Sequence, residues 1–400
     1  MLFALICGFA LSQAWRTVAA IMAAPLQADF HLNAQALGLF AGSFHFAFGA
    51  MQIFMGIGID LFGVRRTMLT AFPLAIAGSA VTALAGSYGM LVAGQVLIGI
   101  GCAPAFLVCT VFIARHFPSH RFAAISGLAL GLGGIGMLVT GTPLAWLIQV
   151  TSWRMGFWAL GLGGALAWAL IFLLVHEPPS PLAGQARQAL PRESLWQAVG
   201  QFGALFKLPH TLGILMLGAV GYASFISLRG LWLGPMLMQR HGFSLVQSGN
   251  VALLMSLASL FGPALFGRFD PGALHRRRWI VGFALLQAAL YAAFALTHST
   301  AIDVIGPIVI GLLSGSLVLQ YADVRAAYPA AITGRAMAVF TMAMFLGVAA
   351  MQWLTGLVAS VASAHGIEPF TAVLGTIAAL LAGGALAFTL LPGPPRQGAA

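Results

Sequence analysis

Apolar runs of about 20 residues recur along the whole chain, and this repetition leaves few folds open. A helix rises 1.5 Å per residue, so a run of that length crosses the ~30 Å hydrocarbon layer of a bilayer. Only 6% of the residues are charged and 60% are hydrophobic, against roughly 25% charged in soluble domains. A soluble globular fold is thereby excluded. Because a helix satisfies its own backbone hydrogen bonds in lipid, the composition predicts an all-α integral membrane protein.

Setting the apolar runs against the polar breaks predicts twelve transmembrane helices, at 2–24, 35–58, 67–86, 90–113, 122–148, 155–175, 210–237, 245–267, 279–296, 301–321, 335–360 and 370–391. Between the sixth and seventh lies a stretch rich in proline and polar residues, including Pro178, Pro179, Pro181 and Pro191. It predicts an N-terminal six-helix bundle at 1–175, a linker at 176–206 and a C-terminal six-helix bundle at 207–400. The first run has no basic segment before it, so it is expected to be a membrane helix and not a cleaved signal peptide. The 49 glycines suit close helix packing.

The net charge of +10 does not point to nucleic acid, because the arginines form no single stripe and sit in alternate loops. One set of loops and the tail carries fourteen basic residues, among them Arg65, Arg66, Arg115, Arg276, Arg277 and Arg278, and the opposite loops carry only Arg154 and Arg240. By the positive-inside rule this places both termini and the linker in the cytoplasm of an inner or plasma membrane protein. Cys7, Cys102 and Cys109 fall inside spans, so neither a disulfide framework nor a metal cluster is expected. No cofactor is expected either.

Asp60 closes the second span and is followed by Arg65 and Arg66; Asp270 closes the eighth and is followed by Arg276, Arg277 and Arg278. This correspondence predicts two bundles related by pseudo-two-fold symmetry, with a cavity between them at the bilayer midplane.

Arg16 and Arg229 lie within spans 1 and 7. An arginine at the centre of a membrane helix costs about 2.5 to 3.5 kcal/mol on the lenient insertion scale. All eight acids fall at helix ends or in loops, so a counter-ion that comes and goes is the expected partner: a small anionic substrate. The two guanidinium groups are expected to face each other across the cavity, each offering a fork matched to carboxylate or phosphate. His45, Gln13, Tyr222, Asn250, Gln320 and Tyr321 are the further candidate substrate contacts. His45 also suits coupling to a proton, and a counter-anion is the alternative coupling partner.

The stretch Gly56, Asp60, Gly63 and Arg65 resembles the cytoplasmic signature of the major facilitator superfamily. Leu61 and Val64 depart from it, and Gln95 stands where many members carry an arginine in helix 4. Trp153-Arg154-Met155-Gly156-Phe157 is similar to the family's turn between helices 5 and 6. Arginines in helices 1 and 7 resemble those of the organophosphate:phosphate antiporter and organic anion symporter branches. The resemblance implies alternating access, with Gly56, Asp60, Gly63, Arg65, Arg66, Asp270, Arg276 and Arg277 as a pair of gates that latch the cytoplasmic side. The expected function is secondary transport of a carboxylate or phosphate ester by a monomer. The alternatives are an efflux pump for hydrophobic compounds and a transporter-like ligand sensor; no enzyme constellation of nucleophile, base and orienting group is present.

Overall fold

The computed structural model describes residues 1–176 and 203–394. The expected linker therefore lies almost wholly outside the described residues, as does Arg396. Among the described residues every regular element is helical. Among the described residues, ten helices are long and apolar enough to cross a bilayer, and a bent pair at the N-terminus makes an eleventh. Large apolar side chains such as Phe46, Leu166 and Leu296 stand exposed on their outer faces, where lipid solvates them.

Span 1 is broken into α1 (Leu2–Thr17) and α2 (Ala19–Phe30), bent by 46°. Spans 2 and 3 form one helical run, α3 (Ala34–Ala83), interrupted at Gly63, whose φ of 84° and ψ of 171° turn the chain. Span 4 is α4 (Tyr88–Cys102) and α5 (Ala105–His116), span 5 is α6 (Ser119–Val139) and α7 (Thr142–Val150), and span 6 is α8 (Trp153–Leu174). Span 7 is α9 (Thr211–Ser227), a π-helical turn (Leu228–Trp232) and α10 (Leu233–His241). Spans 8 and 9 are α11 (Leu245–Arg268) and α12 (Ala273–Thr297). Span 10 is α13 (Thr300–Leu313), a 3₁₀ turn (Ser314–Ser316) and α14 (Leu317–Ala327), and spans 11 and 12 are α15 (Ala330–Ala364) and α16 (Pro369–Leu390).

Four of the breaks follow the repeat, in spans 1 and 7 and in spans 4 and 10; the break in span 5 has no counterpart in span 11, which is one continuous helix. Irregular backbone is tolerated at this depth where protein buries it or a cavity solvates it. Two of the breaks have a local cause close by. Thr17 Oγ1 donates back to the Gln13 carbonyl (3.2 Å) beside the bend in span 1, a bond that competes with the helix ladder. Pro104 removes a donor from span 4, and Gln52 Nε2 donates to the Ala103 carbonyl beside the break at 3.1 Å. Gly272, at the second signature loop, has φ 76° and ψ 171°, nearly the geometry of Gly63. Both angles lie where only glycine is at ease, so the two loops share their turn as well as their charges.

The bundles meet closely on the side opposite these two loops. A Cβ on Gly38 would overlap the Gln352 carbonyl, one on Gly234 would stand 2.6 Å from the Ala20 carbonyl, and one on Gly249 would stand 2.9 Å from Ala145 Cβ. Gln35 N donates to Ser360 Oγ across the same seam at 2.9 Å. Towards the signature loops these contacts end: along span 2 an added Cβ would meet Ala349 at Gly42 and Phe345 and Leu346 at Gly49, but only Leu107 of the same bundle at Gly56. The interbundle cleft is thus closed on the far side and open on the loop side.

Within the N-terminal bundle a Cβ on Gly136 would overlap the Ala10 carbonyl. Both partners are backbone or backbone-attached, so no side chain can move aside. Gly136→Ala is expected to cost about 1 to 3 kcal/mol by overpacking, read as a lowered thermal unfolding midpoint of the purified protein. Gly131→Ala, which meets open space, should leave that midpoint within error.

Candidate functional site

Arg16 sits at the bend of span 1, at the closed end of the cleft, and is 6% exposed. Its Nη1 donates to Tyr222 Oη at 2.8 Å, reaching from one bundle to the other. Its guanidinium lies between two rings, with Cζ 5.0 Å from the Phe48 centroid and 4.7 Å from the Phe345 centroid. Such stacking holds a cation without neutralising it. Nε has no partner, and among the described residues no carboxylate pairs with this guanidinium. The arrangement is a half-used fork held between two aromatic rings.

The other expected contacts gather around it unevenly. Tyr321 lies close enough to feel both Arg16 and Tyr222, and its hydroxyl is 3.4 Å from Thr341 Oγ1. Gln320 lines a narrow slot beside Tyr222 that also holds Gln287, Ser314 and Ser316, and its Oε1 has no partner. Gln13 is buried one turn before Arg16 with Oε1 unpartnered. His45 is 1% exposed; Nδ1 lies 3.2 Å from the Ala41 carbonyl, and Nε2 has no partner. It stands near Gln352, whose two amide atoms are likewise buried without partners.

Arg229 departs from the expected arrangement. It is fully buried and does not face Arg16 across an open cavity. Its Nε donates to Ser256 Oγ (2.7 Å) in its own bundle, and its Nη2 to the Met137 carbonyl (2.7 Å) and Thr140 Oγ1 (3.4 Å) in the other. The physical reason is the break in span 5. The Gly141 amide turns to the Leu138 carbonyl, ahead of Pro143, and leaves Met137 O with the Thr140 hydroxyl at 3.1 Å and room to accept from a cation as well. Thr140 Oγ1 also meets Thr17 Oγ1 at 2.7 Å, so the two arginines lie on either side of a threonine pair. The π turn that carries Arg229 widens the helix at this point, as such turns do at functional sites.

Asn250 is exposed and not in the cleft; its Oδ1 accepts from Thr142 Oγ1 at 2.6 Å across the closed seam. The expected gates are placed as follows. The Asp60 side chain lies outside the described residues. Arg65 Nη2 donates to the Phe172 carbonyl at 3.0 Å and stacks on that ring, and Arg66 is exposed. Gly56 meets only Leu107 at the open mouth. Asp270 binds Arg276 through both oxygens, at 3.0 and 2.7 Å, and accepts from the Gly272 amide at 3.0 Å. Its carboxyl is held below the usual range, chiefly by the bonds from Arg276. Arg277 reaches Asp323 at 3.3 Å and stacks on Phe388. In this open-mouthed state, Asp270 is therefore satisfied within its own loop and does not latch onto the other bundle.

The model of the Major Facilitator Superfamily matches residues 4–349. The chain belongs to this family. Its relatives include the hexuronate transporter of Bacillus subtilis, 22% identical over 70% of this chain and 68% of that one. The D-galactonate transporter of Escherichia coli is 24% identical over 66% and 65%. The matches thus span about two-thirds of the length of these curated relatives. Among solved structures, a bacterial homolog to the human lysosomal transporter Spinster, in an inward-facing and occupied conformation, superposes with a TM-score of 0.72 at 18% identity. That likeness covers 97% of this chain and 95% of the other, and it shows the shared fold. Family membership and the twelve-helix reading agree with the composition and the loop signature.

The aromatic frame of Arg16 and the brace on Arg229 were not legible beforehand. Phe48 and Phe345 are two among 29 phenylalanines, and nothing in their spacing singles them out. Gly141-Thr142-Pro143 was the available signal for a freed carbonyl in span 5.

Proposed function

We propose that this protein is a secondary active transporter that carries a small organic anion by alternating access, with Arg16 as the anion anchor. The observation that carries this reading is the mid-membrane guanidinium with a free Nε, no carboxylate partner and an aromatic frame, at the closed end of the cleft. A buried unpaired cation is destabilising, and an anion that arrives through the cleft relieves that cost. Tyr222, Gln320, Tyr321, Gln13 and His45 are the further contacts. The curated relatives named for hexuronate and D-galactonate support a carboxylate over a phosphate ester.

The bundles at 1–175 and 207–400 rock about this site as a monomer, joined by a cytoplasmic linker at 176–206. The anion moves with a coupling ion or in exchange for one. With the arginine-rich loops and both termini in the cytoplasm of an inner or plasma membrane, the open cleft faces inward. Arg229 belongs to the closure of the outer side. The glycines and charged residues of the two signature loops, from Gly56 to Arg66 and from Asp270 to Arg277, serve the opposite closure when the cleft opens outward.

Proteoliposomes given a panel of labelled sugar acids, other carboxylates and phosphate esters should take up or exchange at least one carboxylate, saturably and in competition with unlabelled anion. Absence of anion flux alongside transport of neutral hydrophobic compounds would overturn the assignment.

A further inference from the structure

Around Arg16 lies a group of polar side chains whose hydrogen-bonding atoms the protein itself leaves unused. Gln352 is fully buried on α15, and neither its amide nitrogen nor its amide oxygen has a partner. It follows Phe345 by seven residues, two helical turns along the same face, and Phe345 is one of the two rings that hold the Arg16 guanidinium. His45 stacks on the same ring, with centroids 6.5 Å apart and planes 16° apart, and it feels both Arg16 and Gln352. A Cβ on Gly230 would stand 3.4 Å from the Arg16 carbonyl and 3.7 Å from Gln352 Nε2. The amide therefore lies beside the backbone that carries the anchor. Gln13, three residues before Arg16, adds a buried Oε1 without a partner.

The chemistry of these unused atoms is one-sided. A carbonyl only accepts, so His45 Nδ1, 3.2 Å from the Ala41 carbonyl, carries the hydrogen, and Nε2 of the neutral ring is an acceptor. Gln13 Oε1 and Gln352 Oε1 are acceptors as well, and Gln352 Nε2 is a donor. A carboxylate or an ionised phosphate brings no hydrogen for these acceptors. Buried polar atoms left unpaired are costly, so a ligand that only fills the Arg16 fork leaves that cost in place. An ammonium has hydrogens to give, but it needs a counter-charge. Among the described residues the buried carboxylates, Asp303 and Asp323, answer Arg240 and Arg277 elsewhere. A hydroxyl is neutral, both donates and accepts, and meets both kinds of atom.

We propose that Gln352, with His45 and Gln13, reads a hydroxyl group near the carboxylate of the transported anion, which makes Gln352 a specificity-determining residue and the substrate a hydroxy acid. The inference rests on Arg16 as the anion anchor. Gln13 and His45 come from spans 1 and 2, and Gln352 comes from span 11, so the hydroxyl is gripped from both bundles. The grip forms as the seam between spans 2 and 11 closes, where Gly42 packs against the Ala349 carbonyl. A hydroxy acid thereby favours outer closure, and an acid without the hydroxyl does so less.

Affinities read from thermal shifts of the purified full-length protein test it, with lactate against propionate, D-gluconate against hexanoate, and D-glucitol as the neutral polyol. A site built to hydrogen-bond a hydroxyl rejects the analogue that lacks it, so in at least one pair the hydroxy acid should bind about tenfold tighter or more. Gln352→Met should cut that ratio about tenfold, while its substrate-free midpoint stays at or above that of the wild type, because two unpaired polar atoms leave the interior. Gln13→Leu should cut the ratio as well, and it decides alone if Gln352→Met fails to fold. Equal binding within each pair, or a ratio unchanged in the folded variants, overturns the proposal and leaves the Arg16 anchor standing. D-glucitol binding as tightly as D-gluconate overturns the anchor instead. No shift with any of these ligands overturns both.

Discussion

Arg16→Gln should abolish most anion transport while leaving the substrate-free protein at least as stable as the wild type. The two halves of this expectation have one cause. Without substrate, Arg16 is a buried cation with no acid to answer it, held by one hydroxyl and two rings; its removal takes away an uncompensated charge. With substrate present, it is the charge that the anion needs. Truncating one side of a buried hydrogen-bonded charge pair costs about 2 kcal/mol or more, which lowers apparent affinity about 30-fold or more. Arg16→Lys should fall between, because an ammonium keeps the charge but loses the planar fork and the stacking between Phe48 and Phe345. The checks are uptake in proteoliposomes and the thermal shift given by the transported anion, since a ligand stabilises the state that binds it. Undiminished transport by Arg16→Gln would remove Arg16 from the site. A large loss of stability without substrate would make it a structural residue instead.

The extent to which this site was legible depends on what the bilayer dictates and what packing decides. Span length, apolarity and the loop arginines respond to the membrane itself, so twelve spans and the pairing of Asp60 with Asp270 could be read from one dimension. Even the turn could be anticipated: Gly63 and Gly272 adopt nearly the same positive φ. Packing is different. Arg229 carries the same one-dimensional signal as Arg16, an arginine in a span without an acid. Its role is set by a carbonyl 92 positions away, released by a break in another helix. Arg240, Asp303 and Glu368 lay near predicted helix ends and read as ordinary loop charges. Folding brings them into one cluster, because the ends of spans 7 and 9 converge with the starts of spans 10 and 12.

The distinction between the two arginines can be measured, because their removal should have opposite structural effects. Arg229→Met keeps much of the side-chain volume and discards the donors. Met137 O loses its cationic partner, Ser256 Oγ loses its donor, and the brace between spans 5, 7 and 8 is cut. Met137 O keeps the Thr140 hydroxyl at 3.1 Å and Ser256 Oγ keeps its bond to the Ala252 carbonyl at 2.8 Å, so the loss is that of the charge-assisted bonds themselves, about 1.5 to 3 kcal/mol. That cost falls on the closed outer seam, where Gly42 packs against Ala349. If the outward-open state frees Arg229 from Met137, the equilibrium shifts towards it by at least tenfold, since 1.4 kcal/mol is a factor of ten. A cysteine at Ala349 reports the shift: its reaction with a membrane-impermeant maleimide from outside should quicken about tenfold in Arg229→Met, after subtraction of the parent protein's background. Arg16→Gln should leave that rate near its starting value. Equal labelling rates in all three backgrounds would show that Arg229 does not hold the outer side closed.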